Sequence, residues 1–232
     1  MTTINNIINT AKNQGRTILT EVESKQIVRQ LGIPTTEIKL ATTKGQAMAL
    51  AEEIGFPVVL KIVSPDITHK SDAGGVKVGI CNEEDVAQAY ESIMASCKSK
   101  FPGAIIEGIS VQNLAKPGTE IIIGMAKDAQ FGPVMMFGLG GVWVEILKDV
   151  SFRIVPLTRT DASRMIKEIK GYPLLKGFRG SEAASIPALE DSLLKLSDFV
   201  SSHPEIKEMD LNPIFAYKDG LMAVDARVIL EK

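Results

Sequence analysis

The 232-residue sequence is poor in the features that define several classes of protein. Its two cysteines, Cys81 and Cys97, have the spacing of neither a disulfide framework nor a metal-binding motif. No apolar run is long enough to cross a membrane, and residues 1–20 lack the apolar segment of a signal peptide. The net charge of −2 supplies neither a basic surface for nucleic acid nor an acidic disordered tail. We therefore expect a cytoplasmic globular protein with reduced thiols and with no nucleic-acid or membrane partner.

The sequence does contain a long series of helix and strand signals that together predict an α+β fold. Residues 1–15 are polar and are expected to be a flexible lead-in. Helices are predicted to follow the capping residues Thr20, Thr43 and Asn82, and later ones to cover 161–169 and 187–202. Ten apolar segments predict strands: 37–41, 58–63, 76–80, 105–114, 119–126, 134–137, 142–147, 152–157, 208–215 and 221–228. The chain becomes richer in strands after residue 103, so two lobes with a ligand cleft between them are the natural interpretation.

The segment from Val58 to Val76 combines a buried strand with a polar loop. Lys61 interrupts the apolar run VVLKIV, and a lysine in a buried strand needs an anionic partner. Lys61 therefore either binds phosphate oxygens as a point charge or extends its amine to solvent at a strand edge. The loop ends at Gly74-Gly75, where backbone N–H groups either approach a phosphate or form a simple turn. His69 in the same loop is either solvated or a nucleophile that carries a phosphoryl group.

Oxygen-bearing side chains gather near the C-terminal end of the sequence. The period of two in a strand places Asp210 and Asn212 on one face. The turn at Asp219-Gly220 is expected to fold the next strand back, so that Asp225 lies beside them. Three such oxygen ligands suit Mg²⁺ with phosphates completing its coordination shell, although a polar face on an edge strand would also explain each carboxylate separately.

Two further glycine-containing turns flank strands in the second half of the chain. Pro117-Gly118 separates the strand that ends at Gln112-Asn113 from the strand opened by Glu120. This connection has the position of a hinge whose backbone hydrogen-bonds an adenine edge, with Glu120 on the ribose. The run from Gly138 to Gly141 has no helix start after it, so a hairpin turn is favoured over a dinucleotide-binding loop.

Several long motifs, in order, resemble the β subunits of ADP-forming acyl-CoA synthetases, the acetate–CoA ligases that form ADP. They are SPDITHKSDAGGV, VQNLAKPGTEIIIG, QFGPVMMFGLGGVWVEILKDVSFRIVPL, IKGYPLLKGFRG and MDLNPIF. The resemblance extends from about residue 16 to the end of the chain. It implies an ATP-grasp fold, related to that of succinyl-CoA synthetase, with two lobes at 16–111 and 112–232 enclosing a nucleotide cleft.

The resemblance also implies a reaction and a set of roles. The family converts acyl-CoA, ADP and phosphate reversibly into acid, CoA and ATP, together with a CoA-binding α subunit in an α2β2 heterotetramer. His69 matches the histidine that carries the phosphoryl group between the partner and ADP. The implied nucleotide ligands are Lys61, Gly74, Gly75, Val76, Gln112, Asn113, Leu114 and Glu120. The implied Mg²⁺ ligands are Asp210, Asn212 and Asp225.

Two other functions remain open from the residues alone. An ATP-grasp ligase that phosphorylates a bound carboxylate directly would not need His69. A non-catalytic nucleotide-binding regulatory subunit would be favoured by loss of Lys61 or of the Asp210 and Asn212 pair, and all three are present. The acyl group and the choice between ATP and GTP are not encoded in a readable motif.

Overall fold

The computed structural model describes residues 3–67, 69–141 and 147–231. In these residues the helices are α1 Ile4–Asn13, α2 Glu21–Gln30, α3 Lys44–Ile54, α4 Glu83–Lys100, α5 Arg159–Glu168, α6 Tyr172–Leu175 and α7 Ile186–Ser202. The strands are β1 Ile38–Ala41, β2 Val58–Val63, β3 Val76–Ile80, β4 Gly108–Asn113, β5 Thr119–Asp128, β6 Gly132–Leu139, β7 Val150–Ile154, β8 Ile206–Tyr217, β9 Gly220–Ala223 and β10 Arg227–Leu230. Helices mixed with antiparallel sheets confirm the α+β prediction.

The chain divides into two compact units, which we name by their sheets. The four-stranded unit consists of Thr20–Glu23 and Thr36–Ala115. The six-stranded unit consists of Met1–Leu19, Ser24–Thr35 and Lys116–Lys232. The predicted lobes, 16–111 and 112–232, differ from this division, because most of the segment before residue 36 clusters with the second half of the chain.

The four-stranded unit is built on an antiparallel sheet with the strand order β1-β4-β2-β3. One face of β2 packs against α4, and Val58, Leu60 and Ile62 belong to the apolar core of the unit. All six residues of β2 are nevertheless buried, so the alternate positions Val59, Lys61 and Val63 are also shielded from water. The strand therefore has a second buried face, and that face carries a lysine.

The six-stranded unit contains an antiparallel sheet with the order β10-β8-β5-β6-β7, and β9 pairs with β8. Helices α5 and α7 pack together and contribute to its apolar core, for example through Met165, Leu193 and Phe199. The glycine-containing segment after β6 leads to β7, which pairs antiparallel with β6. Gly138 itself lies in β6 and pairs with Val150, and residues 142–146 lie outside the described residues, so the hairpin turn at Gly138 to Gly141 stays a prediction.

Residues 4–13 form a helix rather than the expected flexible lead-in. Thr3 caps it by accepting a hydrogen bond from the N–H of Asn6, and Ile7, Ile8 and Ala11 are buried in the core of the six-stranded unit. The apolar residues at 4, 7, 8 and 11 have the spacing of an amphipathic helix, and they outweigh the polar composition around them. Burying each isoleucine contributes roughly 2 kcal/mol towards ordering the segment.

Most predicted elements agree with the structure, and two need comment. The predicted strand 221–228 is interrupted, because β9 ends at Ala223 and β10 begins at Arg227. The predicted strand 142–147 lies, apart from Leu147, outside the described residues. No helix among the described residues is long and apolar enough to cross a membrane.

Candidate functional site

Lys61 lies on the polar face of the four-stranded sheet. In β4 the opposite register positions are Ser110, which faces Lys61, and Gln112, which faces Val59. Ser110, Gln112 and Lys61 are all buried. The Nζ atom of Lys61 lies 2.9 Å from Oε1 of Glu21. This carboxylate is the anionic partner that a lysine in a buried strand requires, so Lys61 does not extend to solvent at a strand edge.

Glu21 accepts hydrogen bonds from three side chains that are far apart in the sequence. Besides Lys61, the Nζ of Lys70 lies 2.5 Å from Oε2, and Nε2 of Gln112 lies 2.7 Å from Oε1. The other amide atom of Gln112, Oε1, is 3.4 Å from Oγ1 of Thr36. We call Glu21, Lys61, Lys70 and Gln112 the Glu21 cluster.

The sequence prediction did not identify Glu21. The residue is the first of α2, directly after Thr20, whose hydroxyl and N–H pair with Glu23 as a capping box. The helix dipole favours an acidic residue in the first turn of a helix, and this effect is sufficient to explain a glutamate at position 21. The only further signal was the predicted need of Lys61 for an anion, and sequence alone did not say where that anion was.

His69 lies in a loop that is folded by its own hydrogen bonds. The carbonyl of His69 accepts from the N–H of Ala73 at 3.2 Å, and the carbonyl of Lys70 accepts from the N–H of Gly75 at 2.7 Å. Helix α4 holds the same loop, because Oγ of Ser96 donates to the carbonyl of Ala73 at 2.8 Å. The side chain of His69 is exposed and thus open to a second reactant. Its neighbour Thr68 lies outside the described residues.

Gly74 and Gly75 are required by close packing in this conformation. A Cβ on Gly74 would lie 2.5 Å from Oγ of Ser96, and one on Gly75 would lie 2.5 Å from Cγ2 of Ile62. Their N–H groups donate to the carbonyls of Ser71 and Lys70, so these donors point into the loop rather than towards a ligand. Val76 opens β3 and pairs with Lys61. The glycines therefore let the loop approach β2 and α4.

The three residues expected to contact adenine, Gln112, Asn113 and Leu114, lie at or directly after the end of β4. Gln112 is paired with both β1 and β2, and its side chain belongs to the Glu21 cluster. Oδ1 of Asn113 accepts from the N–H of Glu37 at 2.7 Å, and the N–H of Leu114 donates to the carbonyl of Pro57 at 3.1 Å. The side chain of Leu114 is partly exposed. Because these groups already have partners, an adenine edge at this point would have to form its hydrogen bonds with other groups.

Glu120 lies in the six-stranded unit, beside the glycine-containing segment that follows β6. Its carbonyl accepts from the N–H of Gly140 at 2.8 Å. A Cβ on Gly141 would lie 2.8 Å from Oε2 of Glu120, so a side chain there would make this carboxylate shift. The side chain faces a cavity of about 360 Å³. The cavity is lined by Thr119, Glu120, Leu139, Gly140, Gly141, Leu174 and Ser181.

Asp210 lies on β8 just before a register shift against β5, and Asn212 lies within the shift, between Leu211 and Ile214. Asp210 is partly buried, and burial raises the pKa of its carboxyl above the ordinary value, while Arg227 opposes the rise and Glu208 and Asp225 add to it. Asn212 is exposed. Asp210 also lines a cavity of about 480 Å³ on this sheet, together with Glu208 and Arg227.

The chain folds back after the turn as predicted, since β9 pairs antiparallel with β8, but Asp225 is not in a strand. It lies in the connection between β9 and β10, where its Oδ1 accepts from the N–H of Ala226 at 2.8 Å. It is close enough to Asp210 to influence the pKa of that carboxyl. In the described residues no three His, Cys, Asp or Glu side chains are grouped to hold a metal ion. The expected set has two carboxylates and one amide, all with the oxygen donors that Mg²⁺ prefers.

Comparison with known proteins assigns the class. The family model of the ATP-grasp domain matches residues 10–230, so the chain belongs to the ATP-grasp proteins. The chain is 50% identical to the acetate–CoA ligase [ADP-forming] I subunit beta of Pyrococcus furiosus, over 97% of this chain and 96% of the relative. Within the ATP-grasp proteins it therefore belongs to the β subunits of the ADP-forming acetate–CoA ligases.

Two further relatives, one longer protein and one solved structure, are also similar to this chain. Acetate–CoA ligase [ADP-forming] I of Archaeoglobus fulgidus is 46% identical over 90% of this chain, which spans only 30% of that longer protein. The second is an acetyl-coenzyme A synthetase 1 of Ca. Korarchaeum cryptofilum, solved with coenzyme A and Mg-AMPPCP. It has a TM-score of 0.87 and 48% identity, with 99% of this chain and 100% of that chain covered. Its phosphohistidine segment points towards the nucleotide-binding site.

Proposed function

We propose that this chain is the nucleotide-binding subunit of an ADP-forming acyl-CoA synthetase and that His69 carries the phosphoryl group. The observation that supports the proposal most directly is an exposed histidine whose neighbour, Lys70, shares a carboxylate with the buried Lys61. Lysines near a histidine favour the arrival of a phosphoryl group, because they neutralise its negative charge. The relatives described above, one with a phosphohistidine segment, add independent support.

The transfer proceeds in two displacements that balance. A ring nitrogen of His69 attacks the phosphorus of a phosphohistidine on the partner, which the acyl phosphate has phosphorylated; the N–P bond to the partner's histidine breaks, and its imidazole leaves. A β-phosphate oxygen of ADP then attacks the same phosphorus, the N–P bond breaks, and ATP and neutral imidazole are released. Such reactions depend on positioning and charge neutralisation rather than on further covalent chemistry. Run in the opposite direction, the same steps phosphorylate His69 from ATP.

The nucleotide ligands follow the same proposal. Lys61 contacts phosphate oxygens, and Gly74, Gly75 and Val76 form the loop beside them. The hinge residues Gln112, Asn113 and Leu114 bound the adenine, and Glu120 binds the ribose. Because the N–H groups of Gly74 and Gly75 donate within the loop, their contribution is a close approach of the backbone rather than free donors. Lys61 supplies the charge.

The acidic residues of the six-stranded unit fit a hard cation. Asp210, Asn212 and Asp225 would hold Mg²⁺, and their oxygens match its preference. Mg²⁺ bound there would neutralise nucleotide phosphate charge. Asp210 has Arg227 as a neighbour, with Nη2 at 3.9 Å from Oδ2, which is longer than a good ion pair. That looser contact leaves its carboxylate able to take a cation.

The partner is a CoA-binding α subunit, and the proposed assembly is an α2β2 heterotetramer. The designation of the Pyrococcus relative as a β subunit implies a partner chain, and the longer Archaeoglobus relative accommodates further domains in one polypeptide. The partner would form the acyl phosphate and select the acid. We place the complex in the cytoplasm, where the free thiols of Cys81 and Cys97 would remain reduced.

The carrier role is tested by labelling the chain with radioactive ATP and Mg²⁺, or with acyl-CoA and radioactive phosphate when the partner is present. Acid-labile, base-stable label is expected on the native chain and absent from His69→Ala. The matched control is His203→Ala, since His203 is the other histidine and its Nδ1 is 3.0 Å from the carbonyl of Phe199. Label that persists in His69→Ala would contradict the carrier role of His69, and a native chain that takes up no label would favour direct phosphorylation of a bound carboxylate.

A further inference from the structure

We infer that Glu21 and Lys70 are positioning residues, because their ion pair fixes the histidine loop to the carboxylate that orients Lys61. This inference rests on the proposed carrier role of His69. Oε1 of Glu21 is 2.9 Å from the ammonium of Lys61, and Oε2 is 2.5 Å from that of Lys70. One carboxylate thus connects a strand residue with the residue directly after His69.

The burial of the three side chains shows which contact can open. The side chain of Glu21 is 3% exposed, that of Lys61 is 8% and that of Lys70 is 20%. If Lys70 leaves, Glu21 still accepts from Lys61 and Gln112, so a buried carboxylate is not stranded. Lys70 is therefore the detachable member of the Glu21 cluster, and its ammonium can be hydrated when it moves out.

The remaining contacts of the loop explain why Lys70 controls it. Downstream of Lys70, the N–H of Gly75 donates to the carbonyl of Lys70, and the N–H of Ile62 donates to the carbonyl of Gly75. Lys100 adds a bond from its Nζ to the carbonyl of Asp72 at 2.7 Å. These bonds fix the C-terminal half of the loop by its backbone. The Glu21–Lys70 pair is a side-chain contact that connects the residue next to His69 with the start of α2.

The consequence is a divided role for the two lysines. Lys61 stays on the sheet and contacts the nucleotide phosphates, whereas Lys70 fixes the position of its sequence neighbour, His69. Moving His69 away from this position requires the Lys70 contact to break. A charge-assisted hydrogen bond of this kind shifts such an equilibrium by about tenfold or more.

Hydrogen exchange on the isolated full-length chain tests the positioning role. Lys70→Met is expected to raise the exchange rates of the Ala73, Gly74 and Gly75 amides about tenfold, because the loop opens more often. The control is Lys44→Met, which removes a surface ion pair with Glu91, 2.6 Å long, from the same unit. Lys70→Arg is expected to restore slow exchange. Equal exchange in the Lys70→Met and Lys44→Met chains would overturn the inference.

A second measurement separates positioning from a general structural effect. In single turnover with phosphorylated chain and ADP, Lys70→Met is expected to transfer about tenfold more slowly, while the ADP dissociation constant changes less than twofold. Unchanged transfer, or a matching loss of ADP affinity, would contradict the positioning role. The exchange experiment needs no phosphorylation, so failure of His69 as carrier and failure of the Lys70 contact would be observed separately.

Discussion

The two units hold their charged residues in opposite ways. The four-stranded unit buries the carboxylate of Glu21 and surrounds it with Lys61, Lys70 and Gln112 at 2.5 to 2.9 Å. In the six-stranded unit Asn212 is exposed, Asp210 is only partly buried, and Asp225 lies in a connection between strands. The nearest basic contact described for Asp210, with Arg227, is 3.9 Å long.

This difference has a physical basis in desolvation. An ionised carboxylate that loses water on folding must receive hydrogen bonds from the protein, and the Glu21 cluster provides them. Carboxylates that keep contact with water can exchange it for a cation when a ligand arrives. The chain thus pairs Glu21 with its lysines during folding, whereas Asp210 and Asp225 remain partly exposed to water.

The largest effect on stability is expected when Glu21 is replaced. Glu21→Leu leaves the ammonium of Lys61 in a buried strand without this carboxylate, which is expected to lower the free energy of unfolding by about 3 kcal/mol or more. Urea denaturation measures the loss. The double variant Glu21→Leu with Lys61→Met replaces both charges by apolar groups and is expected to recover much of it. A single variant as stable as the native chain would show that the pairing is not required for folding.

A smaller effect, on binding rather than folding, is expected at Asp210. Asp210→Asn is expected to weaken ADP binding in the presence of Mg²⁺ by on the order of tenfold and to leave metal-free ADP binding unchanged. Titration calorimetry with and without Mg²⁺ measures both values. Asp128→Asn is the control, because Asp128 ends β5 and its carboxylate already accepts from the N–H groups of Gln130 and Phe131. Equal losses in the two variants would remove Asp210 from the metal site.

The smallest effect on stability is expected for the partly exposed carboxylate of Asp161. Asp161 completes a capping box at the start of α5, and the hydroxyl and N–H of Thr158 lower its pKa below the ordinary value of 3.8. Because the folded state binds this proton more weakly, the stabilisation is present above that ordinary value and is lost as pH falls through the lowered one.

The corresponding measurement is the melting temperature of the native chain and of Asp161→Asn between pH 7 and pH 3. The native chain is expected to be slightly more stable at pH 7, and the difference is expected to shrink as the pH falls. Asp219→Asn, in the turn between β8 and β9, is the control for a carboxylate outside a helix cap. A difference that stays constant over the whole range would contradict a contribution from the ionised cap.

Local signals in the sequence predicted much of the fold because they act over a few residues. Thr20, Thr43 and Asn82 accept hydrogen bonds from N–H groups three residues later, as predicted for helix caps. The apolar run 58–63 forms one buried strand. Errors arose where a second local signal was overlooked, as with the apolar spacing in α1, or where a strand-like run was interrupted before Asp225.

The sequence alone indicated that Lys61 needs an anion and that His69 lies in a polar loop. It also indicated that Asp210 and Asn212 are oxygen donors in one segment. Only the tertiary structure decided that Glu21, 40 residues before Lys61 and 91 before Gln112, joins them. It also decided that the N–H groups of Gly74 and Gly75 turn inward. Helix caps depend on neighbours in sequence, whereas the partner of a buried charge depends on which strands the sheet brings together.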